Sequence, residues 1–208
     1  MKKETNSRTF FLNLAECIKN MKGLTVPVGS KVMQRGIADI LEKHVCDLIK
    51  DTYKDTPGVL TKDAKSKRSI EDVLIETEDQ NVFVDVKTGD TKGTFSMPNL
   101  ISVERLRQLY KDPKNIVIYV FVSYEKIDDQ TVMITDIVQA APEEIHPSCL
   151  QVQNLGRGQL QIKKGMAPVI DKSSTRAAWL QSLKGLVVDF HRRQLIKTQR
   201  DLDSWLTE

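Results

Sequence analysis

Ser69–Thr88, SIEDVLIETEDQNVFVDVKT, is the stretch whose reading decides the fold. It reads as two short strands, Ile70–Glu76 and Val82–Lys87, joined by a polar turn at Thr77–Asn81. Side chains alternate along a strand, so Asp85 and Lys87 point to the same face. A tight hairpin centred between Glu78 and Asp79 sets Asp72 directly opposite Asp85, with Cβ atoms about 4.5–5.5 Å apart. Like charges that close destabilise a hairpin unless something cationic lies between them. A divalent cation, with Lys87 alongside, resolves the repulsion. The stretch therefore reads as a hydrolytic metal site.

Working outward, Arg8–Met21 carries Phe10, Phe11, Leu14, Ala15, Ile18 and Met21 at helical spacing, ended by Gly23 and Pro27. A second helix is expected from about Ser30 to Lys50, with Ile37, Ile40, Leu41, Val45 and Leu48 as its buried stripe and Glu42 at the edge of that stripe. Asp51–Ser69 is a polar connection holding Lys62, Lys65, Lys67 and Arg68. After the hairpin comes a Gly- and Thr-rich loop, Thr88–Pro98, then a helix of about Leu100–Lys111 for which Asn99 could be the cap. Asn115–Tyr124 is apolar almost throughout, as in a central strand covered on both faces, and Thr131–Gln139 is its expected neighbour. Leu150–Asn154 and Leu160–Lys163 form a smaller hairpin around Gly156-Arg157-Gly158. Ser173 or Ser174 caps a long last helix through Trp179, Leu183, Val187, Phe190 and Leu195 towards Trp205. This order predicts an α/β or α+β fold around one mixed sheet, as a single domain over residues 1–208 with its core at about 30–140.

Composition narrows the classes. With 40% apolar and 28% charged residues, the 208-residue chain reads as an ordinary globular protein. A net charge of +3 permits a nucleic-acid partner without arguing for one. The longest apolar run, Ile116–Val122, is far too short for a membrane span, and the N-terminus has no apolar core of a secretion signal. Cys17, Cys46 and Cys149 are scattered and odd in number, which suits reduced thiols in a cytosol. There is no Cys-x-x-Cys zinc spacing and no phosphate-binding glycine loop, hence no expected nucleotide cofactor.

The metal reading needs oxygen ligands with positions left open for water and substrate. Asp72 and Asp85 supply carboxylates, and the backbone carbonyl of Val86 lies between Asp85 and Lys87. Lys87 can orient or deprotonate the attacking water. The competing reading is a surface hairpin with solvated acids, since Asp-x-Lys is common by chance. Against it, Asp85 and Lys87 are embedded among Val82, Phe83, Val84 and Val86, and Asp72 precedes Val73-Leu74-Ile75. Glu42, on the helix flank, has Lys43 and Arg35 as candidate ion-pair partners. The lysines and arginine of 62–68 either grip phosphates or are solvated.

The pair of strands resembles the PD-(D/E)xK nucleases, through Asp72 and Asp85-Val86-Lys87, with Glu71 standing where proline is frequent. Over about Ile70–Leu109 the residues DVLI, VDVKT and MPNLIS resemble the type II restriction endonucleases of the HincII/EcoRV-like group. Thr175-Arg176 and Trp179 extend the resemblance weakly. It implies a restriction-endonuclease-like fold, Mg²⁺ as cofactor, and catalysis by Asp72, Asp85 and Lys87. It further implies cleavage of double-stranded DNA at a short palindromic site to leave 5′-phosphates. A homodimer in a prokaryotic cytoplasm, within a restriction–modification system, follows from the same likeness. Glu42 matches an acidic helix position near the metals. Asn99 matches a base-reading position, and Ser96 stands where the compared member carries glutamine; Lys92, in the loop before Asn99, is the expected backbone contact. A repair nuclease, a junction resolvase or a catalytically decayed DNA-binding protein of the same fold are the alternatives.

Overall fold

The computed structural model describes residues 2–29, 34–66, 69–90, 99–153 and 158–207. In chain order the elements are α1 (Lys2–Asn20), β1 (Thr25–Pro27), α2 (Gln34–Tyr53), β2 (Leu60–Asp63), β3 (Val73–Glu76) and β4 (Asn81–Asp90). There follow β5 (Asn99–Ser102), α3 (Val103–Leu109), β6 (Asn115–Lys126), β7 (Thr131–Ala140), β8 (Leu150–Gln153), β9 (Gln159–Ile162) and α4 (Arg176–Leu206). The chain divides into two compact units, residues 1–96 with 110–142, and residues 97–109 with 143–208.

The first unit is a six-stranded mixed sheet in the order β1-β7-β6-β4-β3-β2. All its neighbours are antiparallel except β4 and β6, which run parallel. Strand alternation sorts β4: Val82, Val84 and Val86 enter the core, while Phe83, Asp85 and Lys87 take the other face. The parallel register puts Ile116, Ile118 and Val120 beside the core valines, and β3 adds Val73 and Ile75. Two helices close this face. Phe10, Leu14 and Ile18 line α1, continued by Met21 just after it, and Ile37, Leu41, Val45, Ile49 and Tyr53 line α2, all buried at three- and four-residue spacing. Tyr53 stacks on Phe10 with ring centroids 4.8 Å apart and donates its hydroxyl to the Phe10 carbonyl at 2.9 Å, so the helix pair is tied by apolar and polar contact together. Gly23 ends the α1 turn at φ 86°, a left-handed value, and its N–H reaches the Ile134 carbonyl at 2.8 Å.

β6 is the central strand expected, with Val117–Val122 buried on both of its faces. β7 pairs with it as expected, with a register shift between Ser123 and Tyr124. Two strands arise where a polar connection and a helix end were read. β2 holds only Leu60 as an apolar residue and is half a hairpin with β3. β1 is three residues paired to β7.

The second unit is a three-stranded sheet in the order β5-β9-β8, with α3 and α4. Asn99–Ser102 is strand rather than the start of a helix, which corrects the expected Leu100–Lys111 helix and the capping role considered for Asn99. The cap is Ser102, whose hydroxyl accepts from the Arg105 N–H at 3.3 Å. The cap of α4 is Thr175, one or two residues later than expected, accepting from Ala178 at 3.3 Å. Trp179, Leu183 and Phe190 are buried, and the Trp179 indole donates to the Ile145 carbonyl at 2.9 Å. The helix runs on through Leu195, which is 70% exposed, to Leu206. No described helix is long and apolar enough to cross a membrane.

Candidate active site

The hairpin that carries the acidic residues turns at Glu78-Asp79, where the Thr77 N–H meets the Gln80 carbonyl at 2.8 Å and the Thr77 hydroxyl accepts from Gln80 at 3.0 Å. Its pairs are Glu76↔Asn81, Ile75↔Val82, Leu74↔Phe83 and Val73↔Val84. One step further along the same register brings Asp72 level with Asp85, as the hairpin arithmetic predicts. Asp72 lies just before β3, and its backbone is held from two sides. Its N–H donates to Val84 at 2.8 Å, and its carbonyl accepts from Ala64 at 3.1 Å. Its carboxylate then takes the place of a ladder partner, with Oδ2 accepting the Val86 N–H at 2.7 Å. Strand pairing thus ends on a side chain, and the side chain is fixed as a result.

Asp85 is 5% exposed, and its Oδ1 lies 2.5 Å from the Lys87 ammonium. Burial pushes the Asp85 carboxyl up to about 8; Lys87 opposes the shift, and the negative charge of Asp72 adds to it. Glu42 projects from the flank of α2 and is pushed up to about 7, first by burial, then by the charge of Asp72 and a hydrogen bond between the two carboxyls, against the pull of Lys87. Three carboxyl groups and one ammonium therefore act on one another, with the charge of Asp72 raising both Glu42 and Asp85 and that of Lys87 opposing it. Cys46, one helical turn beyond Glu42, has its thiol pushed up to about 12 by burial and by the charges of Asp72 and Glu42, which removes it as a nucleophile.

Four expected residues, Glu42, Asp72, Asp85 and Lys87, come together, with Val86 as the backbone link between the last two. Lys43 pairs with Asp47 instead of Glu42. Glu71 turns back to accept from the Ile70 N–H at 3.0 Å, so Asp72 and not Glu71 supplies the carboxylate of the first strand. Lys62 pairs with Glu76 across β2 and β3. Asn99 is exposed in β5, and its Oδ1 accepts from the Gln161 amide. Lys92, Ser96, Lys67, Arg68 and Arg157 lie outside the described residues. Sequence reading missed Tyr119, which the parallel register sets beside Asp85. No strand signal reveals which residues of β4 and β6 are neighbours.

Among the described residues, no three His, Cys, Asp or Glu side chains stand as a ready metal-binding group. The donor set nonetheless fits a hard cation. All its donors are oxygen, and Mg²⁺ needs only one or two carboxylates because it keeps several waters and takes substrate phosphates as further ligands.

No family model and no curated protein matches the sequence. Among solved structures the chain is similar to the NlaIV restriction endonuclease, with a TM-score of 0.56 and 10% identity, covering 87% of this chain and 78% of that one. At that identity the likeness concerns the fold: a mixed central sheet flanked by helices, with a long C-terminal helix, of the restriction-endonuclease-like kind.

Proposed function

We propose that the protein is a Mg²⁺-dependent endodeoxyribonuclease of restriction type, with a PD-(D/E)xK site, cutting double-stranded DNA at a short palindromic sequence and leaving 5′-phosphates. A fold alone does not assign an activity. The observation that carries the reading is the meeting of Asp72, Asp85 and Lys87 where β3 and β4 stop pairing, in a restriction-endonuclease-like fold.

Asp72 and Asp85, with the Val86 carbonyl, would hold the ion, and Glu42 would join them. Bound there, Mg²⁺ supplies charge to stabilise the phosphate and to acidify a water. Lys87 has three N–H donors, one of which serves Asp85, and the others position the attacking water and a phosphate oxygen. Asn99 reads a base edge, with Lys92 and Ser96 as further DNA contacts. A twofold dimer gives one active site per strand of a symmetric duplex. The setting is the cytoplasm of a prokaryote, as the cutting half of a restriction–modification system.

The test is digestion of plasmid DNA by wild type and Asp85→Asn, in Mg²⁺ and in EDTA, with the ends sequenced. Discrete ends at one recurring sequence, made only by the wild type and only with metal, are expected. Nicks without sequence preference, from a protein that sediments on DNA as a monomer, would favour a repair nuclease or resolvase. No cleavage, together with salt-dependent DNA binding, would mean a decayed site.

A further inference from the structure

Four buried side-chain atoms lack a hydrogen-bond partner among the described residues: Tyr119 Oη, Thr135 Oγ1, Gln139 Oε1 and Gln161 Oε1. Tyr119 differs from the rest in its neighbour. It is the Cα partner of Asp85 in the parallel β4–β6 ladder, on the same face. Gln139 is level with Val120, and Gln161 with Asn99 and Gln151. The tyrosine is fully buried, and its ring lies 6.0 Å from that of Phe121 at a tilt of 40°. Burial and then the charge of Asp85 push its phenol well above the ordinary value, so it remains a hydrogen-bond donor at any working pH.

A buried hydroxyl with no partner costs about 1–3 kcal/mol, and phenylalanine would fill the place without that cost. The hydroxyl therefore calls for a use in another state of the site. In the state described, the Lys87 ammonium occupies Oδ1 of Asp85. A carboxylate has about four acceptor positions, so Asp85 would keep one free for a further donor beside a cation and Lys87. A donor without a partner stands on the same face, the phenol of the neighbouring strand. Ligand carboxylates are commonly fixed by such outer hydrogen bonds.

From this register and this unpartnered hydroxyl we infer that Tyr119 is a positioning residue, whose O–H donates to the Asp85 carboxylate when the site holds its divalent cation. The inference rests on the metal-site reading above. It predicts a residue that does nothing for the metal-free fold and something for the metal.

Tyr119→Phe removes the O–H and keeps the ring. Mn²⁺ binding is measured by calorimetry, without DNA, on wild type, Tyr119→Phe and Asp85→Asn, and thermal melts are recorded without metal. Wild type should bind, Asp85→Asn should not, and Tyr119→Phe should bind about tenfold more weakly, the low end for loss of an outer-shell partner. Its metal-free Tm should equal or exceed that of wild type. Equal Mn²⁺ affinity in wild type and Tyr119→Phe would overturn the inference and leave the metal site standing. A metal-free Tm well below wild type would also overturn it, since the hydroxyl would then be a structural bond of the resting fold. If wild type binds no Mn²⁺, or Asp85→Asn binds as tightly, the metal-site reading falls and takes this inference with it.

Discussion

The carboxylate of Asp72 accepts the backbone N–H of Val86 at 2.7 Å, across fourteen positions of sequence. One side chain thus does two things, closing the end of a strand ladder and standing in the acidic cluster. The two can be separated by substitution. Asp72→Asn keeps a carbonyl oxygen for Val86 and removes the charge, so the fold should persist while Mg²⁺-dependent cleavage is lost. Asp72→Ala leaves the Val86 N–H without its partner and should be less stable than Asp72→Asn by about 1–3 kcal/mol in urea melts. Equal stability of the two variants would mean that the bond to Val86 contributes nothing. Cleavage by Asp72→Asn near the wild-type rate would remove Asp72 from the site.

Lys87 is 2.5 Å from Asp85 and 22% exposed, between the buried carboxyl and solvent. Lys87→Ala should slow cleavage by at least about a hundredfold, the low end for a positioned acid–base group. Site-specific DNA binding in Ca²⁺, which supports binding without turnover, should survive. If binding falls as far as the rate does, Lys87 is a phosphate contact and not part of the chemistry.

The raised carboxyl groups make the metal-free protein sensitive to pH. Glu42 moves from 4.5 to about 7 and Asp85 from 3.8 to about 8. In that window the folded state holds protons that the unfolded chain gives up. The stability these groups contribute is complete below their unfolded pKa values and is lost as pH rises through the folded ones. The metal-free Tm should therefore fall between about pH 5 and about pH 8, and Mg²⁺ should raise the Tm more at the upper end, where it has fewer protons to displace. Glu42→Gln should flatten the fall. A Tm that is level across the window, or a Mg²⁺ shift independent of pH, would contradict the coupling.

Part of this site could be read before any coordinates. A two-residue hairpin tip at Glu78-Asp79 leaves one register, and that register puts Asp72 level with Asp85. The valines of β4 and β6 mark the covered strands because burial on both faces leaves little room for polar residues. Other parts were out of reach for physical reasons. β2 has little apolar signal of its own, and β3 gives it a ladder to join. Leu106, Leu109 and Tyr110 have helical spacing, yet Leu100 and Ile101 just before them are buried in a strand whose partner, β9, lies some sixty residues on. The neighbour of Asp85 on β6 depends on how a parallel strand returns, and local pattern says nothing of that register. Tyr119 was invisible for that reason.

Asn99 tests the recognition half of the proposal, and the structure changes what the test must measure. As a helix cap, Asn99 would have been detected through stability. It lies instead in β5, with its Oδ1 accepting from Gln161, a residue only 3% exposed. Asn99→Ala leaves the Gln161 amide without this acceptor, so some stability, about 1–3 kcal/mol, should be lost whether or not DNA is read there. Thermal stability therefore no longer separates the roles, and the ratio of specific to non-specific binding does. If Asn99 reads a base, its amide enters the groove already oriented by Gln161. One good base-edge pair is worth about 1–3 kcal/mol of discrimination. Asn99→Ala should then weaken binding to the cognate site far more than to random DNA, with the salt slope nearly unchanged because no phosphate contact is lost. Gln161→Ala supplies the control: it disturbs the same pair of side chains but leaves the Asn99 amide in place. It should lose stability to a similar degree and keep most of the specificity. If both variants lose stability alike and neither changes the binding ratio, Asn99 and Gln161 are a structural pair of the small sheet, and base reading belongs to other residues.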